Sequence, residues 1–267
     1  MEISTSDNIV ARAVASLLRD HGVKDVVMSP GSRNAPLITA VRAIDEFAVR
    51  MVVDERSAAF VALGIAITVR RPVALICTSG TALYNYAPAV AEAFYRRVPL
   101  IVVSADRPPE WIGQDDSQTL VQPGALANIV KRTYALPALG RDGDLWCAVR
   151  MLNDAMLRAT ALPAGPVHIN VPIDEPLSGL VGLDEAMLTD HFPVVESVSA
   201  TPDLSTARYR MLATSLASPQ RVMIVAGFMP ADSMVRKAVA RLAAIGNIAV
   251  LAENTSNLWG TEGVIGN

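Results

Sequence analysis

The sequence predicts an α/β protein in which a parallel sheet carries helices on both faces, followed by the beginning of a second α/β unit. Two observations carry that expectation. Short runs of continuous apolar character, such as VALICT at 73–78 and LIVVSA at 100–105, alternate with longer stretches of helical periodicity. Strands covered on both faces read as such unbroken runs. The polar clusters then fall where these runs end: SPGSRN at 29–34, DERS at 54–57, SGT at 79–81 and SADRPPE at 104–110. That is the carboxyl edge, where open parallel sheets bind ligands.

Taken in order, residues 6–20 read as an amphipathic helix closed by Gly22, since a glycine tolerates the left-handed backbone that ends helices. Residues 24–29 read as a strand, and 34–43 as a helix after a Pro-Gly-Ser turn. A strand at 47–53 and a helix at 57–69 follow. The run 73–78 is a strand, 82–97 a helix and 100–105 a strand; 144–160 is a helix and 167–171 a strand. The stretch 194–206, VVESVSATPDLST, is rich in Ser, Thr and small residues and reads as connector. Beyond it come a strand at 221–226, a helix at 231–245 and a strand at 248–252. The expected organisation is a first α/β domain at 1–180, a linker at 181–206 and the truncated start of a central α/β domain at 207–267.

The chain has 267 residues, 51% of them hydrophobic, enough for a sizeable core in one or two domains. Only 18% are charged and the net charge is −3, so no basic patch points to nucleic acid, and the low charge suggests extensive subunit contacts or missing partner domains. No basic segment precedes an apolar one at the start, and no apolar run is long enough to cross a bilayer. A cytoplasmic location is expected. Cys77 and Cys147 lie in apolar patterns and read as core thiols of a reducing compartment. His21, His168 and His191 show no metal-ligand spacing, so no metal ligand is expected in this chain.

The candidate chemistry sits in the polar clusters. Neither a Walker loop nor GxGxxG after the first strand is present, and GxSxG is absent. Ser32 and Arg33 in the Pro-Gly-Ser-Arg turn could present N–H groups and a guanidinium to an anion, or form an ordinary turn with a solvated arginine. Gly80 and Thr81 could admit a ligand, or Thr81 could simply cap the next helix. Arg107 could clamp a carboxylate or stand on the surface. Glu55 lies between apolar stretches at a strand-to-helix junction. It could serve the helix dipole, or it could be a partly buried acid set for proton exchange.

Together the segments SPGSRNAPL, VVDERSAAFVALGIA, CTSGTALYNYAPAVAEAFY, PLIVVSADRPPE and GPVHINVPIDEP resemble the amino-terminal, pyrimidine-binding domain of thiamine-diphosphate-dependent enzymes. More closely they resemble the menaquinone-pathway synthases that make 2-succinyl-5-enolpyruvyl-6-hydroxy-3-cyclohexene-1-carboxylate. The resemblance covers residues 1–176. It implies that Glu55 hydrogen-bonds N1′ of the cofactor's aminopyrimidine and helps remove the thiazolium C2 proton. Desolvation by an apolar wall would raise the pKa of such an acid. By the same resemblance Ser32, Arg33 and Arg107 hold substrate carboxylates and Gln118 lies near the reacting centre, next to Ser117 where some relatives carry asparagine. Thr81 and Asn85 stand near the pyrimidine.

The implied substrates are 2-oxoglutarate and isochorismate, and the implied cofactors are thiamine diphosphate with Mg2+ or Mn2+. The family binds diphosphate and metal through a GDG…N motif that these 267 residues do not contain. It also shares each active site between subunits of a dimer or tetramer, so the isolated chain is expected to be inactive. The competing readings are another thiamine-diphosphate enzyme, such as an acetohydroxyacid synthase or a 2-oxoacid decarboxylase, and a non-catalytic α/β module.

Overall fold

The computed structural model describes residues 4–198, 203–217 and 220–266. The chain divides into two compact units, Met1–Val198 and Ser199–Asn267.

The first unit opens with β1 (Ser4–Ser6) and α1 (Ile9–Asp20), then β2 (Asp25–Met28), α2 (Ala35–Arg42), β3 (Ala48–Met51) and α3 (Glu55–Val69). It continues through β4 (Val73–Cys77), α4 (Ala82–Asn85), α5 (Ala87–Arg96), β5 (Leu100–Asp106) and β6 (Thr133–Ala135). The remaining elements are α6 (Asp144–Thr160), β7 (Val167–Pro172), β8 (Leu180–Gly182) and α7 (Leu183–Thr189). Six of the strands form one sheet in the order β3-β2-β4-β5-β7-β6, with every neighbouring pair parallel.

Side-chain alternation along the strands divides the core in two. Val26, Met28, Ala74, Ile76, Ile101, Val103 and Ile169 face α1, α2 and α6. Val27, Val73, Leu75, Cys77, Leu100 and Val102 face α3 and α5. The doubly covered parallel sheet expected from the sequence is therefore present. From β2 the chain steps outward to β3 and then crosses back to β4, so the strand order reverses between β2 and β4. A crevice opens at the carboxyl ends of such a pair.

Several elements differ from the periodicity. Residues 6–8 are not helical. Asn8 caps α1 by accepting the Ala11 N–H at 2.9 Å, and Ser4–Ser6 pairs antiparallel with Leu180–Gly182. The helix expected over 82–97 is two helices, because Pro88 has no N–H to continue the ladder and fixes the start of α5 instead. The helix expected from residue 57 begins two residues earlier, at Glu55. β6, at the sheet edge, was not legible as a strand, and β8 and α7 occupy part of the stretch read as connector.

The second unit holds α8 (Thr206–Ala217), β9 (Val222–Ala226), α9 (Ser233–Ala243), β10 (Ile248–Ala252) and β11 (Val264–Gly266). Its three strands are parallel in the order β11-β10-β9, around a small core of Ala226, Ala252 and Leu258. Asp232 caps α9 by accepting the N–H groups of Met234 and Val235.

Among the described residues no helix is long and apolar enough to cross a membrane, and no group of three His, Cys, Asp or Glu could hold a metal ion. Cys77 and Cys147 are both free thiols, the first buried and the second half-buried.

Candidate active site

The strand-to-helix junction at 52–57 separates two acids that the sequence left ambiguous. Asp54 is the N-cap of α3, and its carboxylate accepts the Ser57 N–H at 2.7 Å. Those Ser57 hydrogen bonds hold Asp54 below the usual carboxylate range. The helix start is thus satisfied by Asp54, which leaves Glu55 free of the capping role. Glu55 is half-buried and accepts one long hydrogen bond, 3.4 Å from Asn85 Nδ2, and no other among the described residues. Its charge reaches Cys77 at the end of β4 and Tyr86 between α4 and α5; burial is the main cause pushing both groups up, with Glu55 next for Cys77 and behind Cys77 for Tyr86. The apolar wall expected around Glu55 is incomplete in this chain. Val53 is 79% exposed, and Phe60, one turn along α3, is exposed as well.

The two turns at the switch point press on each other. A methyl group at Gly31 would lie 2.4 Å from Thr78 Cβ, so only glycine admits this approach. Asn34 secures the turn by donating from Nδ2 to Ser29 O at 2.8 Å. Gly80 adopts φ +82°, and the Gln118 side chain packs directly above it. Gln118 donates to Ser79 O at 2.9 Å and is itself left-handed, at φ +61°. Thr81 stands at the N-cap of α4 but makes no side-chain cap bond, so its hydroxyl is not engaged in the plain capping role.

The arginines meet in a neighbouring cleft of ≈ 490 Å³ that also includes Trp111, Asp116, Asp174 and Glu175. Arg33 is buried, with its guanidinium on Ile173 O at 3.0 Å and on Glu175 Oε1 at 3.3 Å. Arg107 pairs with Asp116 at 2.8 Å and donates to Ser117 O at 3.1 Å. Ser32 is exposed on the turn before Arg33. Arg33 and Arg107 thus come together, as do Glu55 and Asn85, and Gln118 sits on the turn between β4 and α4. Glu55, Thr81 and Asn85 do not line the arginine cleft.

A buried polar group under these turns escaped the sequence reading. Ser104 and Asp106 on β5, Gln122 from the loop after β5, and His168 and Asn170 on β7 are all buried. Ser104 Oγ lies 2.7 Å from His168 Nε2 and donates to Asn170 Oδ1 at 2.9 Å. The available signal was period two. Ser104 and Asp106 alternate with apolar residues, as do His168 and Asn170, and the register places Ser104 beside Asn170.

Burial depresses the His168 pKa to about 4, against 6.5 for a free imidazole. The unfolded chain takes up this proton at higher pH than the folded one, so His168 costs stability as pH falls through that window. We expect an unfolding free energy that drops by up to about 3 kcal/mol more between pH 6.5 and 4 in the wild type than in a His168→Gln variant. Urea titrations across that range measure the difference; parallel pH profiles would refute it.

Comparison with known proteins decides what this geometry belongs to. Residues 9–126 match the family described as "Thiamine pyrophosphate enzyme, N-terminal TPP binding domain". That domain belongs to the thiamine pyrophosphate enzymes. The span matched runs from α1 past Gln122, so it includes Glu55, both switch-point turns and both arginines. Within these thiamine pyrophosphate enzymes the chain is similar to proteins named 2-succinyl-5-enolpyruvyl-6-hydroxy-3-cyclohexene-1-carboxylate synthase. One from Desulfotalea psychrophila is 45% identical over 242 residues, which covers 90% of this chain and 44% of that protein. One from Porphyromonas gingivalis is 40% identical over 269 residues, covering 99% and 45%. One from Bacteroides fragilis is 51% identical over 164 residues, covering 61% and 30%. The chain spans a little under half the length of the first two.

Proposed function

We propose that the chain is the amino-terminal part of a thiamine-diphosphate-dependent synthase of menaquinone biosynthesis. The full-length protein would decarboxylate 2-oxoglutarate and add the remaining succinyl unit to isochorismate, giving 2-succinyl-5-enolpyruvyl-6-hydroxy-3-cyclohexene-1-carboxylate. The observation that carries this reading is Glu55, a half-buried carboxylate relieved of helix capping by Asp54, with one oxygen free of hydrogen bonds among the described residues. Such a group fits the pyrimidine end of the cofactor. When bound, thiamine diphosphate supplies the carbon nucleophile and the electron sink for decarboxylation.

The roles of the chain's own residues follow from their chemistry. Glu55 holds a proton against the pyrimidine N1′, with Asn85 fixing its other oxygen. Thr81 and the Gly80 turn border the same ring. Arg33, Arg107 and Ser32 bind carboxylates, for which two guanidiniums in one cleft are suited, since both substrates are acids. Gln118 borders the reacting centre from the turn it packs on. Asp116 and Glu175 now pair with these arginines, and an incoming carboxylate would replace them there. The diphosphate and its Mg2+ or Mn2+ are assigned to residues outside this sequence. A homodimer or tetramer, with each site completed by another subunit, accords with the exposed Val53 just before Glu55 and the exposed Phe60 on α3. We place the enzyme in the cytoplasm.

The test is carbon dioxide release by the full-length gene product from 2-oxoglutarate with thiamine diphosphate and magnesium, with and without isochorismate. Release that requires the cofactor and yields the succinylated adduct supports the proposal. Turnover of pyruvate in place of 2-oxoglutarate would move the chain to another branch of the family. Turnover of neither would leave a shared scaffold without this chemistry.

A further inference from the structure

We infer that Gln122 is a positioning residue, the last member of a buried amide relay that fixes the Gly80 turn from the side away from the ligand. The inference rests on the reading above, in which that turn borders the cofactor.

The relay starts at Asp106. One carboxylate oxygen accepts the Arg107 N–H at 2.8 Å and the other accepts Asn170 Nδ2 at 2.8 Å. A carboxylate is acceptor-only, so it dictates that Asn170 turn its nitrogen toward Asp106 and its oxygen away. That oxygen then accepts Gln122 Nε2 at 2.8 Å, and Ser104 Oγ as well. Gln122 Nε2 also donates to Ala105 O at 3.1 Å. With its nitrogen committed to these acceptors, Gln122 must aim Oε1 the other way. There it accepts the Gly80 N–H at 2.6 Å.

The polarity of each amide is thus set by the group before it, and the direction of the whole chain is set by one charge. Buried amides without such a constraint can turn over at little steric cost; here each reversal would bring two donors face to face. The relay has a second output, because Asp106 also holds the backbone N–H of Arg107. It therefore ties the turn under the cofactor to the start of the arginine loop through groups that touch neither ligand. Gln118, four residues before Gln122 in the same loop, donates to Ser79 O, so the loop grips the C=O and the N–H of one peptide group, Ser79–Gly80.

Asp106→Asn is the informative variant, because it keeps the shape. Its oxygen stays on the Arg107 N–H, which leaves an amide nitrogen facing Asn170 Nδ2. Asn170 and Gln122 must then reverse, and a nitrogen would face the Gly80 N–H. Gln122→Leu removes the acceptor outright.

The experiment reads deuterium exchange at C2 of thiamine diphosphate bound to the full-length protein at saturating cofactor, by NMR after acid quench, with no substrate present. We expect roughly tenfold slower exchange in Asp106→Asn and in Gln122→Leu, the size of one buried polar group left unpaired. Leu152→Ala, a core truncation on the opposite face of the sheet, should lower the melting temperature and leave exchange per bound cofactor unchanged. If Gln122→Leu does not fold, Asp106→Asn carries the test alone. Wild-type exchange rates in the folded variants, or slowing in Leu152→Ala equal to theirs, would overturn the relay. A wild-type protein that does not accelerate C2 exchange over free cofactor would instead overturn the proposed function.

Discussion

Glu55→Gln in the full-length protein is expected to slow carbon dioxide release from 2-oxoglutarate by about 10²–10⁴-fold, the range for loss of a positioned proton-transfer group. The amide keeps the volume of the acid and can still accept from Asn85, so the fold has no reason to change. The unfolding free energy should stay within about 0.5 kcal/mol of the wild type. The KM for 2-oxoglutarate should move little, because the arginine cleft that binds carboxylates does not include Glu55. A neighbouring variant gives the opposite pattern. Asp54→Ala removes the cap on Ser57 N, so it should destabilise α3 measurably while retaining most of the turnover. Two adjacent acids would then separate cleanly, one read in stability and one in rate. A Glu55→Gln enzyme as fast as the wild type would show that this carboxylate has no part in proton transfer.

The separation of those two acids also marks what the sequence could and could not say. Continuous apolar runs identified β4 and β5, because a strand covered on both faces has few polar side chains to interrupt the pattern. The polar clusters at their ends marked the carboxyl edge of the sheet, because helices and turns must place their free N–H groups and charges at that edge. Short elements failed for the complementary reason. β6 has three residues, of which Thr133 is half-buried and Ala135 exposed, so nothing in TYA distinguishes it from a loop. The identity of the cap was also hidden. Asp54 and Glu55 are both plausible acids at a helix start, and only the backbone at 54, extended at φ −77° and ψ 119°, assigns the cap to Asp54.

Pairing across strands was the largest omission. Ser104 and Asp106 read only as part of the polar cluster that ends a strand, His168 was weighed only as a metal ligand, and Asn170 drew no reading of its own. Their meaning depends on β5 lying beside β7 in a register that sets Ser104 next to Asn170. That register is a property of the sheet and not of either segment. Gln122 is harder still, since its loop carries no periodicity at all.

Gly31→Ala is expected to cost about 1–3 kcal/mol of unfolding free energy, the usual penalty for forcing atoms into a filled space, and to lower turnover with it. The new methyl would meet Thr78 Cβ, Cγ2 and Oγ1 at 2.4, 2.6 and 2.7 Å. The nearest atom is a Cβ, so trimming the far end of the threonine does not make room. Gly31→Ala/Thr78→Ala should therefore remain destabilised, whereas Gly31→Ala/Thr78→Gly removes the obstructing atom and should recover much of the loss attributable to the clash. Measured as a double-mutant cycle by urea unfolding, the coupling between 31 and 78 should be larger with glycine at 78 than with alanine. The two turns belong to β2 and β4, the strands between which the sheet reverses direction, so their contact sets how far the crevice opens. Relief of the clash by alanine at 78 would mean that the turns can part without cost, and that the crevice is not held by this contact.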